Sequence, residues 1–140
     1  MKFPYTKFRE HLSSGTLTTI LRPVIPIGIR HQGRTLPALY TALIDSGADD
    51  CIFHAEVGQA LGMDVRSGVA KTYSGVGFGE EVALTYGMLR EHPGLPGRKQ
   101  GFRYGILGQR SFFEKFKVIF DFSAEEIELR PKSSAMLRLN

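Results

Sequence analysis

Ala42-Leu43-Ile44-Asp45-Ser46-Gly47-Ala48-Asp49-Asp50-Cys51-Ile52-Phe53 is the run on which this chain turns. Core-forming residues lead directly into an acid, so Asp45 is expected at the end of a buried strand, rigidly held and poorly solvated. Ser46 can hydrogen-bond neighbouring backbone, Gly47 permits a close approach that a Cβ would block, and Ala48 keeps the turn compact. The run thereby presents one carboxylate. Taken alone, the same four residues also describe an ordinary Asx turn closing a strand.

Upstream, residues 36–44 read as the strand that feeds Asp45, and His31-Gln32-Gly33-Arg34 as a hairpin turn before it. In residues 21–30 the isoleucines are flanked by further apolar side chains, which predicts a strand buried on both faces; Pro23 and Pro26 restrict it towards an edge. Residues 1–20 lack a clean period and are expected to form an N-terminal arm, with Ser13-Ser14-Gly15 as its turn. Downstream, residues 54–62 contain helix formers and end in Gly62, which predicts one or two helical turns. Residues 65–73 and 82–89 flank Ser74-Gly75-Val76-Gly77-Phe78-Gly79-Glu80, a long hairpin with a Gly-rich tip. After the Pro/Gly loop from His92 come Tyr104-Gly105-Ile106-Leu107-Gly108, a helical turn around 109–113, and a hairpin of strands 116–122 and 127–130. Residues 132–140 read as a tail.

The whole chain has 140 residues, 42% hydrophobic and 23% charged, which matches one ordinary globular domain. No apolar run approaches the length of a membrane span, and the basic opening stretch lacks an apolar run or cleavage site, so the expected location is cytoplasmic. A single cysteine, Cys51, excludes an internal disulfide and agrees with a reducing compartment. The net charge of +4 reads as a solubility device. Arg98-Lys99-Gln100-Gly101-Phe102-Arg103-Tyr104 interleaves cations with aromatics, as single-strand nucleic-acid binders do, yet its Pro/Gly approach favours a solvated loop. His11, His31, His54 and His92 lack paired metal-ligand spacing, no phosphate-binding loop is present, and Asp45 to Asp50 lacks the alternation and closing Glu of a calcium loop. No metal and no cofactor are expected.

The wider pattern resembles the retropepsins, single-domain aspartic proteases of retroviruses and their cellular relatives. Two aliphatics before Asp45, then Ser46-Gly47-Ala48 and Ile52-Phe53, are similar to their active-site loop. Ile106-Leu107-Gly108 followed by Ser111-Phe112-Phe113 is similar to their second signature, and the Gly-rich hairpin falls where they carry a flap. The resemblance covers residues 21–131 and implies a mainly β fold, a small closed barrel with one or two short helices and a flap hairpin. It implies Asp45 as the catalytic carboxylate, with Ser46 and Gly47 completing the loop and Ser46 bracing a partner's loop. Ala48, Asp49, Asp50 and Ile106 would meet substrate, and Gly75, Val76, Gly77 and Phe78 would form the flap tip. Two departures stand out. Retroviral members have Arg directly after the second-signature Gly, whereas Gln109 stands there and Arg110 one place later, which puts the usual ion-pair support of the loop in doubt. The segment between flap and Ile106 is also short, so a strand is expected to be missing or abbreviated. Cys51 reads as buried packing rather than as a nucleophile.

With one signature and no internal repeat, a second carboxylate must come from a second chain. The expected function is therefore an aspartic endopeptidase acting as a homodimer on a peptide or protein substrate, with no nucleic acid and no membrane involved. The alternative within the fold is a non-catalytic dimeric peptide-binding or assembly module, and a further one is a small β-barrel binding nucleic acid through residues 98–104.

Overall fold

In a computed structural model of the chain, the residues described are 1–75, 78–86, 89–92 and 104–132. The first strands are β1 (Lys2–Pro4), β2 (Thr6–His11), β3 (Leu17–Arg22), β4 (Val24–Ile27), β5 (Arg30–His31), β6 (Arg34–Thr35) and β7 (Tyr40–Ile44). They are followed by β8 (Ile52–His54), the helix α1 (Ala55–Ala60), β9 (Val69–Gly75), β10 (Phe78–Tyr86) and β11 (Leu89–His92). A third group contains β12 (Gly105–Leu107), a kinked turn over Gln109–Phe113, β13 (Phe116–Asp121) and β14 (Glu126–Pro131). The chain is mainly β, as expected, and no helix among the described residues is long and apolar enough to cross a membrane.

Local chemistry accounts for several of these elements. Gln32 and Gly33 have φ of 45° and 80°, the two left-handed positions of a tight hairpin turn, which joins β5 to β6 as the sequence predicts. His54 caps α1, its Nδ1 accepting from the Glu56 N–H at 3.3 Å. The predicted final hairpin is present as β13 and β14, paired from Phe116↔Pro131 to Asp121↔Glu126. Residues 1–20, for which no period was legible, carry β1, which pairs with β14, together with β2 and most of β3, its partner in a two-stranded ribbon.

The largest sheet runs in the order β4-β7-β12-β8-β11-β10-β9 and a second in the order β1-β14-β13. Ile25, Ala42, Ile44 and Leu107 from the first share one core with Ile127 and Leu129 from the second, and Ile25, Leu61 and Ile127 are the largest side chains wholly removed from solvent.

Two expectations are corrected here. Among the described residues no sheet closes into a barrel; the large sheet ends at β4 on one side and β9 on the other. At the β4 edge the reason is local. The Ile44 N–H donates to the Pro23 carbonyl at 2.9 Å, and with Val24 opposite Leu43 the backbone groups of Ile25 and Ile27 face β7 while those of Val24 and Pro26 face outward. The Val24 carbonyl accepts from Thr6 Oγ1 at 3.0 Å and Pro26 has no N–H, so no ladder can continue there. Secondly, the helical turn predicted over 109–113 is not regular: Arg110 is extended, with ψ of 131°, and Ser111 has φ of 79°. The segment after the long hairpin, where a strand was expected to be missing or short, contains β11, inserted between β10 and β8. The basic Pro/Gly loop and the tail lie outside the described residues.

Candidate active site

The parallel strands β7 and β12 build the site. They pair Gly105 with Ala42, Ile106 with Leu43 and Leu107 with Ile44, so Asp45 and Gly108 leave the sheet side by side. The Asp45 N–H extends the pairing by donating to the Leu107 carbonyl at 3.1 Å. Beyond that point the chain turns sharply. The Gly47 N–H donates to Asp45 Oδ1 at 2.9 Å and the Ala48 N–H to the Asp45 carbonyl at 3.3 Å, an Asx turn laid over a β-turn. Asp45 is half-buried rather than deeply buried, and Ser46, Gly47 and Asp49 are exposed, so the loop stands at the surface.

Residues 108–110 brace that loop from behind. The Gln109 N–H donates to the Ala48 carbonyl and the Arg110 N–H to the Asp49 carbonyl, both at 2.8 Å, while Gln109 Nε2 donates to the Ser46 carbonyl at 2.9 Å. Gly108 is required by proximity: a Cβ there would fall 2.5 Å from the Asp50 carbonyl carbon and 2.7 Å from the Ala48 carbonyl oxygen.

An ion pair completes the brace. Arg110 donates through Nε to Asp50 Oδ1 at 2.7 Å and through Nη2 to Oδ2 at 2.8 Å, a bidentate contact with a carboxylate only 4% exposed. The hydrogen bond and charge of Asp50 raise the guanidinium further above its ordinary range. The doubt over ion-pair support is thus corrected: Arg110, one place later than the retroviral arginine, supplies the cation and Asp50 the carboxylate. Cys51 is buried, its Sγ donates to the Arg110 carbonyl at 3.5 Å, and burial pushes the thiol up, as a packing residue requires.

Asp45, Ser46, Gly47, Ala48 and Asp49 therefore form one continuous surface loop, whereas Asp50 is turned inward onto Arg110. Ile106 is half-buried between Leu43 of β7 and Ile52 of β8. Gly75 and Phe78 face each other as the last described pair of the β9–β10 hairpin, which is separated from β12 in the sheet by β8 and β11. Val76 and Gly77 lie outside the described residues. The sequence reading named Gln109 only as a departure and did not identify Gly108, Gln109 and Arg110 as a brace; the arginine displaced by one place to 110 was the available signal. Among the described residues no group of three or more His, Cys, Asp or Glu could hold a metal ion.

No protein-family model matches the chain, and no curated protein does. Among solved structures it is similar to a retropepsin-like aspartic protease from Rickettsia conorii, with 21% identity, 89% of this chain and 95% of that chain covered, and a TM-score of 0.42.

Proposed function

We propose that this chain is one half of an aspartic endopeptidase of the retropepsin type, and that two copies pair to bring together two Asp45 carboxylates. The observation that carries this reading is the Asp45 loop: one half-buried carboxylate at the mouth of a parallel strand pair, its backbone pinned by Gln109 and Arg110. Such bracing suits a group that must hold its position during chemistry and offers little to a merely solvated turn.

A two-fold axis beside the loops sets the carboxylates next to each other, where like-charge repulsion makes them share one proton, as in the aspartic-protease dyad that serves as the standard illustration of this effect. The ionised member takes a proton from a bridging water as that water attacks the scissile carbonyl, and the protonated member donates to the carbonyl oxygen. Proton transfer to the amide nitrogen then releases the amine. Ser46, exposed at the loop tip, braces the partner's loop, and the exposed Asp49 meets the substrate backbone. Ala48 and Ile106 line the cleft, and the β9–β10 hairpin closes over the peptide.

The test is cleavage of a peptide library from acid to neutral pH by the parent protein and Asp45→Asn, with sedimentation of both. The parent should sediment as a dimer and cut with a bell-shaped pH profile, because the pair needs one proton and one charge. The variant should remain dimeric and inactive. Equal cleavage by the two proteins would refute the catalytic reading; a dimer without cleavage under any condition would favour a peptide-binding module.

A further inference from the structure

A pocket of about 900 Å³ lies behind the Asp45 loop. Leu107 lines it, whereas Ile106 and Asp45 do not, and successive residues of a strand face opposite ways, so it opens on the far side of β12 from the candidate active site. Its walls are apolar, with Ile25, Ile27, Ile29, Phe53, Phe112 and Leu129 among them, and its volume lies in the range of about 300–1,000 Å³ common for small-molecule sites.

Its shape and chemistry restrict the occupant. Every residue from Ile25 to Gln32 touches it, so it follows the chain from the end of β4 through β5 rather than one face of a strand. The outer edge of β4 offers no ladder to an incoming peptide strand, because Pro26 has no N–H and the Val24 carbonyl is already engaged by Thr6. The occupant is therefore held by side chains. The charged residues on the lining are mainly cationic: Arg30 and Lys115, both exposed, together with the Met1 ammonium, which donates to the Leu129 carbonyl, against one carboxylate, Asp64.

We propose that this pocket binds a long-chain carboxylate, a free fatty acid, with its hydrocarbon tail laid along β4 and its headgroup held by Arg30 and Lys115. Apolar walls with a cationic rim match an anionic amphiphile and repel a cationic one. The site is independent of Asp45, so its failure and that of the protease reading are separable.

Isothermal titration of the full chain with octanoate, decanoate and dodecanoate, each below its micellar concentration, is the experiment. Affinity should rise about fourfold per added methylene, equivalent to about 0.8 kcal/mol. Dodecyltrimethylammonium should bind at least about tenfold more weakly than dodecanoate, by the sign of the rim charge. Gly28→Phe should abolish binding with an unchanged thermal midpoint, since a Cβ at Gly28 meets nothing within 4 Å and the ring fills the pocket mouth. Should Gly28→Phe unfold at lower temperature, the surface variant Arg30→Gln/Lys115→Gln takes its place, and must weaken dodecanoate while leaving dodecanol unaffected. No dodecanoate binding, affinity independent of chain length, or equal affinity for the cationic amphiphile overturns the proposal.

Discussion

Replacing Gly108 with alanine tests whether the Asp45 loop is held by the backbone behind it. The new methyl would sit 2.5 Å from the Asp50 carbonyl carbon and 2.7 Å from the Ala48 carbonyl oxygen, and both are main-chain atoms of the loop, with no flexible side chain to give way. Restoring ordinary contact requires the loop and residue 108 to part by nearly an ångström. The Gln109 N–H to Ala48 and Arg110 N–H to Asp49 bonds, both 2.8 Å now, would then exceed hydrogen-bonding range. Overpacking of this kind costs about 1–3 kcal/mol and each of the two lost bonds about 0.5–1.5 kcal/mol, so a total of about 2–6 kcal/mol is expected. At about 4 °C per kcal/mol for a chain of this length, the thermal midpoint should fall by about 8–24 °C. Circular dichroism melts at one fixed protein concentration measure it. Gly28→Ala is the control: its Cβ meets nothing within 4 Å, and the change should be neutral or stabilising by up to about 1 kcal/mol. A Gly108→Ala midpoint within about 2 °C of the parent would refute the packing argument.

Other outcomes follow from the same contacts. Arg110→Leu leaves the buried Asp50 without its cation and should lower stability, and adding Asp50→Asn should recover part of the loss; strict additivity in a double-mutant cycle by urea unfolding would mean that the pair is not coupled. Ile127→Ala removes a side chain with 0% exposure that joins the two larger sheets, so it should cost about 2–5 kcal/mol in denaturant unfolding, and a loss below 1 kcal/mol would place Ile127 outside the core. Burial raises the Cys51 thiol above its ordinary 9.0, so the unfolded chain releases this proton first; the contribution is fully present below pH 9.0 and is lost as pH rises through the folded-state value. Unfolding of Cys51→Ala beside the parent across that window checks it, the parent being expected to lose stability more steeply.

What could be read in advance was what short-range chemistry dictates. Gln32-Gly33 specifies its hairpin turn, His54 its helix cap, and the aliphatics before Asp45 a strand end. Barrel closure was misread because it depends on which strands meet at the edges, and a single proline facing outward from β4 prevents it there. Residues 1–20 escaped because a two-stranded ribbon is wet on both sides: in β2 only Thr6 and Phe8 are half-buried and the other four positions are exposed, so no sustained period of two marks the segment. The kink at Ser111 was illegible because its left-handed backbone is supported from outside, with its N–H donating to Glu114 Oε2 at 3.0 Å. The brace of the candidate site was half legible, since its residues were all noticed while their pairing depended on where the chain folds back.

The pairing of β1 with β14 sets a schedule for folding during synthesis. Met1 donates to the carbonyl of Leu129, 128 residues away, so the first strand leaves the ribosome long before its neighbour exists. At about 5–20 residues per second that wait is about 6–25 s, during which Phe3 and the unpaired edge of β1 are open to other chains. Closing a loop of this span also carries a large entropic penalty, which makes this sheet a late arrival in folding. The vulnerable interval for misassembly therefore outlasts the making of the Asp45 loop and its brace, and ends when β14 arrives to cover the core from the other side.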